Sequence, residues 1–313
     1  MDSAVQLAIG SAEHARVTSR IARWSVIVAL LLIALKLWAW QASSSVAMLS
    51  SLADSTLDLA GSMFTFFAVR YAAAPPDREH RFGHGKAEAF AGLVQSGLVG
   101  ASSIFIAVEA VSHILNPVRL SHGWESVAVM LVSIGLTGAL VAAQTRAIQR
   151  TGSVATRADR LHYASDLAAN LVVIGGIAAA MLLQISWADA IAALIVAGWL
   201  GWGAVQVGRE SANHLLDREV PEEVRQRIRA LAEQDKRLLK VHELRTRTSG
   251  PYMHVQFHAE LDPDISLVEA HHIVVAAEER IRAEFPSADI IIHPDPKDRA
   301  PPHGHEDFEP AHS

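Results

Sequence analysis

Apolar residues crowd the first two thirds of the chain in six stretches of about twenty, near 24–41, 46–70, 90–114, 124–145, 161–184 and 187–208. At about 1.5 Å of rise per residue, each helix reaches roughly 30 Å, the thickness of a bilayer's hydrocarbon. The pattern predicts a polytopic membrane α-helical bundle of six transmembrane helices. After Arg209 the periodicities shorten. Pro221 to Gln234 reads as a helix, with Val224, Ile228 and Leu231 on one face. Leu239–Thr248 and Tyr252–Leu261 read as strands around the turn Ser249-Gly250-Pro251. Ser266–Phe285 is a second amphipathic helix stopped by Pro286, and Ala288–His293 a third strand. This order, αββαβ, predicts a small α+β domain.

Composition sharpens the division. Half of the 313 residues are hydrophobic, and residues 24–69 hold only Lys36, Asp54 and Asp58 as charges. The last third is dense in Glu, Asp, Arg and His. We therefore expect a polar N-terminal segment at 1–23, a transmembrane domain at 24–208, a soluble domain at 209–296 and a disordered tail at 297–313. Arg16, Arg20 and Arg23 precede span one, as in a signal peptide, but the apolar run is too long for one and more spans follow. Arg70, Arg78, Arg81 and Lys86 lie between spans two and three, and Arg146, Arg150, Arg157 and Arg160 between four and five. The other loops hold only Arg119. The positive-inside rule then puts both termini in the cytoplasm. A net charge of −6 gives no reason to invoke nucleic acid. With no cysteine and 16 histidines, imidazole is the softer metal ligand available.

The chemistry begins with Asp54 and Asp58. A carboxylate at mid-membrane costs roughly 3 kcal/mol on insertion scales, and i, i+4 spacing puts both on one helix face. His162 and Asp166 repeat the spacing in span five. One such pair fits satisfied polar groups inside a bundle. Two pairs with one spacing fit a four-coordinate divalent metal site, with Asn170 one turn on as a supporting group. Counting from the span limits puts Asp58 near the midplane and Asp166 near the cytoplasmic end, so a tilted fifth helix or a cytoplasmic cavity is expected. Lys36 is expected to snorkel to the outer surface. The Gly/Ser-rich third span reads as a packing face, and Glu109 and His113 as a local pair.

A second constellation is Asp77, His80 and His84 in the loop after span two, which fits a metal near the membrane surface or an ordinary solvated loop. A third lies in the soluble domain. A three-residue turn centred on Gly250 sets His242 opposite His258. His293 and Asp295 close the third strand and His271 lies on the second helix, enough together for a binuclear site. His254 and His272 read as bystanders. His303, His305 and His312 in the tail suit either weak metal trapping or a solvated tail.

These residues stand in ordered motifs: DxxxD at Asp54–Asp58, FGHGKAE at Phe82–Glu88, HxxxD at His162–Asp166, LLDRxVP at Leu215–Pro221, HELRTRTSGP at His242–Pro251 and IIIHPDP at Ile290–Pro296. Together, over about residues 15–297, they resemble the cation diffusion facilitator family, in its bacterial zinc/ferrous-iron efflux branch. The resemblance implies six transmembrane helices and a C-terminal metallochaperone-like domain for regulation and dimerisation. It implies a homodimer in the bacterial inner membrane that exchanges a divalent cation for protons. It assigns Asp54, Asp58, His162 and Asp166 to the transport site, and Asp77, His80 and His84 to a loop site. His242, His258, His271, His293 and Asp295 fall on a binuclear cytoplasmic site. Lys86 and Asp217 match a charge interlock near the dimer interface. Zn²⁺ or Fe²⁺ is the expected transported and regulatory ion, with Cd²⁺ and Co²⁺ compatible with the same ligands, and no organic cofactor is expected. The His-bearing tail departs from the family pattern.

The expected mechanism is alternating access, with protons displacing the ion. His162 is the natural coupling group, because an imidazole's ordinary pKa is about 6.5. Two rival classes fit less well. A membrane metalloenzyme needs a general base near the quartet, and no unassigned Glu or His stands within a turn of it. A pure sensor needs no charges buried in two spans.

Overall fold

The structure, a computed structural model, describes residues 10–43, 46–115, 124–183 and 188–299. Arg119, the side chain of His113, and the tail with His303, His305 and His312 lie outside the described residues. The chain divides into two units, one of Ala15–Leu215 and one of Leu216 onward together with the residues up to His14.

Among the described residues, six long helices build the first unit, which takes in α1 from Ala15 onward: α1 (Ser11–Ser43), α2 (Val46–Ala72), α3 (Lys86–Leu115), α4 (Trp124–Thr151), α5 (Val154–Leu183) and α6 (Ala188–Leu215). Among the described residues, four segments are long and apolar enough to cross a membrane: Ser11–Ala42, Lys86–Ser112, Ala128–Thr151 and Ala190–Leu215. α2 and α5, of 27 and 30 residues, carry the acidic and imidazole groups. The bundle is apolar outside and partly polar within. Trp24, Leu31, Phe67, Ile104, Phe105, Ile195 and Trp202 face outward, whereas Ser25, Ser62, Gln95, Gln144 and Asp159 are buried. That distribution suits a lipid solvent.

Small residues bring α3 and α6 together. A Cβ on Gly92 would lie 2.5 Å from Ser211 Oγ, one on Gly208 3.0 Å from Ser96 Oγ, and one on Gly201 3.2 Å from Ser103 Oγ. The Gly/Ser face of the third span is thus a close helix–helix contact.

One boundary differs from the sequence reading. α5 begins at Val154, seven residues before the apolar run that begins at Leu161. The local reason is a tight junction. Gly152 takes φ 66° and donates its N–H to Ile148 O, ending α4. Ser153 then caps α5, its Oγ accepting from Thr156 N at 3.2 Å. Asp58 and Asp166 are therefore each the thirteenth residue of their helix, and both lie near mid-helix. The offset counted along the two spans came from starting the fifth helix at residue 161.

The second unit holds α7 (Glu222–Ala232), β1 (Leu238–Ser249), β2 (Tyr252–Leu261), α8 (Leu267–Glu284) and β3 (Ala288–Pro296). Its sheet has the order β1-β2-β3, with β1–β2 antiparallel and β2–β3 parallel. α7 and α8 cover one face through Val224, Ile228, Ile273, Ala277 and Ile281, packed on Val255, Phe257 and Ile290. Ser266 caps α8, its Oγ accepting from Glu269 N at 3.1 Å.

The hairpin differs from expectation by one residue. Ser249 pairs with Tyr252, so the turn has two residues, Gly250 and Pro251, and Gly250 takes φ 56°. A regular ladder from this turn would set Glu243 opposite His258. Between His242 and Arg245 the register shifts, with Glu243 at φ 49°. This β-bulge restores His242 opposite His258.

Candidate metal centres

The first centre joins α2 to α5. His162 Nε2 lies 3.0 Å from Asp58 Oδ1 and 4.0 Å from Asp166 Oδ2. Ligand atoms of Asp58, His162 and Asp166 all come within 4.8 Å of one another. Asp54 stands one turn from Asp58 on α2, is exposed, and is outside this group. Two carboxylates and an imidazole at this spacing can share a divalent ion.

A buried polar layer supports the centre. Asp159 Oδ2 accepts from Ser25 Oγ at 2.6 Å and from Gln144 Nε2 at 2.7 Å, tying α5 to α1 and α4. Tyr163 OH bonds Ser62 Oγ at 2.7 Å and donates to Ser25 O at 3.0 Å. These residues hold α1, α2, α4 and α5 in register around His162. Sequence reasoning missed them because Asp159 falls before the apolar run and reads as loop. Its i, i+3, i+7 spacing with His162 and Asp166 was the available signal.

Lys36 corrects another expectation. It does not reach outward from α1. Its Nζ donates to Ser55 Oγ at 2.6 Å and to Ser51 O at 3.1 Å, both on α2. Acceptors inside the bundle are closer than the surface.

The second centre lies in the loop between α2 and α3. His84 Nε2 is 3.2 Å and His80 Nδ1 3.3 Å from the Asp77 carboxylate. His84 is buried, its side chain 3% exposed, and its ring packs on Tyr71 with centroids 4.4 Å apart. Asp77 Oδ1 also accepts from the backbone N–H of His80 at 2.6 Å and of Glu79 at 2.9 Å. These bonds hold its carboxyl below the usual carboxylate range. Gly83, at φ 79°, lets the chain turn back toward α3.

The third centre is a row across the sheet. His242 pairs with His258 on β2, and His258 with His293 on β3. Neighbouring ring centroids are 5.3 and 4.7 Å apart. Asp295, only 3% exposed, collects all three: His258 Nδ1 at 2.9 Å, His242 Nε2 at 3.3 Å and His293 Nε2 at 3.3 Å. A buried carboxylate ringed by imidazoles is a donor set suited to a borderline-soft cation. His271 is exposed on α8, its ring 6.3 Å from that of His272, and is outside the group of mutually close ligand atoms. His254 is buried and bonds Asp289 Oδ2 at 3.1 Å. Lys86 donates to Leu215 O at 3.3 Å, and Asp217 accepts from Arg247 at 3.1 Å.

Residues 22–216 match the family described as "Cation efflux transmembrane domain", and residues 220–297 match "Cation efflux protein, cytoplasmic domain". The chain is 44% identical over 276 residues to a cation-efflux pump FieF of Shewanella oneidensis, covering 88% of this chain and 92% of that protein. It is 37% identical over 289 residues to the cation-efflux pump FieF of Cronobacter sakazakii, covering 91% and 94%. For the protein of that name from Klebsiella pneumoniae, identity is 38% over 293 residues, covering 92% and 96%. Both halves of the architecture are matched in order, on a helical bundle and a small α/β unit that each carry clustered metal-ligand side chains. The chain belongs to the cation efflux family, and is a membrane transporter of cations and not an enzyme.

Proposed function

We propose that this transporter expels a divalent transition-metal ion in exchange for protons, by alternating access around Asp58, His162 and Asp166. The carrying observation is the His162–Asp58 contact, 3.0 Å across α2 and α5, beside Asp166. The cargo is Zn²⁺ or Fe²⁺, with Cd²⁺ and Co²⁺ tolerated by the same ligands. Asp54, one turn along α2, completes a four-ligand set when α2 turns relative to α5. Ion and protons compete for the same imidazole and carboxylates, so either can occupy the site but not both. Both termini lie in the cytoplasm of a bacterium, beneath its inner membrane.

The loop residues Asp77, His80 and His84 form a second metal site at the cytoplasmic end of α2. Residues 209–296 form a regulatory and dimerisation domain, and the chain works as a homodimer. There His242, His258, His293 and Asp295, with His271 from α8, hold regulatory Zn²⁺ or Fe²⁺. A bound cation would take the place of the close contacts by which Asp295 now gathers the three imidazoles.

The test is flux of Zn²⁺ and Fe²⁺ into proteoliposomes under an imposed pH gradient. The parent is expected to accumulate metal and release protons, and Asp58→Ala to do neither. Parental flux in Asp58→Ala rejects this site.

A further inference from the structure

Lys36 is the one lysine within the six helices once the helix starts are set aside. It stands seven residues before the end of α1, roughly 11 Å at the helical rise. Its side chain turns sideways into α2 instead of lengthwise to that end. There it holds Ser55 Oγ at 2.6 Å and Ser51 O at 3.1 Å. Ser51, Ser55 and Asp58 follow one another at i, i+4 and i+7 on one face of α2, and Ser55 is buried. Asp58 stands one turn beyond Ser55 on that face of α2, so the ammonium that Ser55 holds lies beside the group of Asp58, His162 and Asp166.

We propose that the Lys36 ammonium is a built-in counter-cation of the transport site, which offsets its carboxylates, weakens ion binding and speeds ion release. This rests on the reading of Asp58, His162 and Asp166 as that site. With carboxylates ionised and His162 neutral, Asp54, Asp58 and Asp166 carry a charge of −3. Lys36 brings the sum to −2, which a divalent ion neutralises. Without Lys36 the loaded site would keep a net negative charge, and the ion would be held more tightly than transport requires. Between loads, the same ammonium compensates carboxylates that would otherwise repel one another in a low-dielectric interior. Ser51 and Ser55 hold it on the α2 face, one turn from Asp58, where it acts on the ion without being a ligand. Lys36 is thus a positioning charge.

The experiment measures Zn²⁺ flux in proteoliposomes of the full chain, separating KM from kcat, for the parent, Lys36→Met, Lys36→Arg and Asp58→Ala. Lys36→Met keeps length and suits an apolar helix. It is expected to lower KM by about tenfold, the effect of one partly screened unit charge, and to lower kcat as release slows. Lys36→Arg keeps the charge and is expected to hold KM within about twofold of the parent. A purely packing role for Lys36 would leave KM unchanged or raise it in Lys36→Met. That result, or an equal fall of KM in Lys36→Arg, overturns the proposal while an inactive Asp58→Ala leaves the transport site standing. Parental flux in Asp58→Ala removes the site reading, and this inference with it. Should Lys36→Met fail to accumulate in the membrane, Lys36→Arg decides alone: KM within about twofold sustains the proposal, and a tenfold change overturns it.

Discussion

His242 faces His258 across β1 and β2, with ring centroids 5.3 Å apart, because the ladder bulges at Glu243. Glu243 takes φ 49°, a left-handed conformation that disfavours side chains branched at Cβ. Glycine adopts it freely. Glu243→Gly is expected to leave the unit as stable as the parent or to raise stability by up to about 1 kcal/mol. Glu243→Ile is expected to lower it by about 1–3 kcal/mol. Thermal unfolding of the purified chain checks both. Equal melting of the two variants would contradict a strained bulge.

Asp295 is the common partner of three imidazoles. Asp295→Asn keeps the shape and removes the charge that attracts a cation. It is expected to lower the tightly held metal per chain, measured by elemental analysis after desalting. Parental stoichiometry in this variant rejects the cytoplasmic centre.

Burial holds the His254 imidazole below its ordinary pKa, against the opposing effect of its hydrogen bond to the Asp289 carboxylate. A lowered value means that the unfolded segment binds a proton more readily than the folded one. The stability His254 contributes is therefore complete above about pH 6.5 and is lost as pH falls through the lower folded value. Protection factors of the β2 and β3 amides, with the intrinsic pH dependence of exchange divided out, are expected to fall between pH 7 and 5, and to fall less in His254→Gln. Identical slopes in parent and variant would exclude this histidine as the source.

Gly92 lies where α3 meets both α5 and α6. A Cβ there would sit 2.5 Å from Ser211 Oγ and 2.9 Å from Val154 Cγ1. The serine hydroxyl can turn away, but Val154 opens α5 beside its cap and cannot. Gly92→Val is expected to destabilise the bundle by about 1–3 kcal/mol, read as a lower melting temperature in detergent. Gly97, with nothing within 4 Å of an added Cβ, is the control, and Gly97→Val is expected to melt higher than Gly92→Val.

Much of this protein follows from one-dimensional patterns. Apolar runs of membrane length set the helices, and period-two alternation set the strands. Spacings of four placed Asp54 with Asp58 and His162 with Asp166 on single faces. These are local consequences of helix and strand geometry, and no neighbour is needed to state them. What neighbours decide was not legible. The start of α5 depended on a Gly152–Ser153 junction, which extended a helix through polar residues and made Asp159 a buried tie between α1, α4 and α5. The direction of Lys36 depended on acceptors of another helix. The hairpin turn was one residue shorter than expected, and a bulge compensated for it, so the pairing of His242 with His258 stood for a different reason. His293 was already grouped with that row from the sequence, but its place opposite His258 comes from the parallel register of β3. Local periodicity fixes which face a side chain is on. Only the packing of one element against another fixes what that face meets.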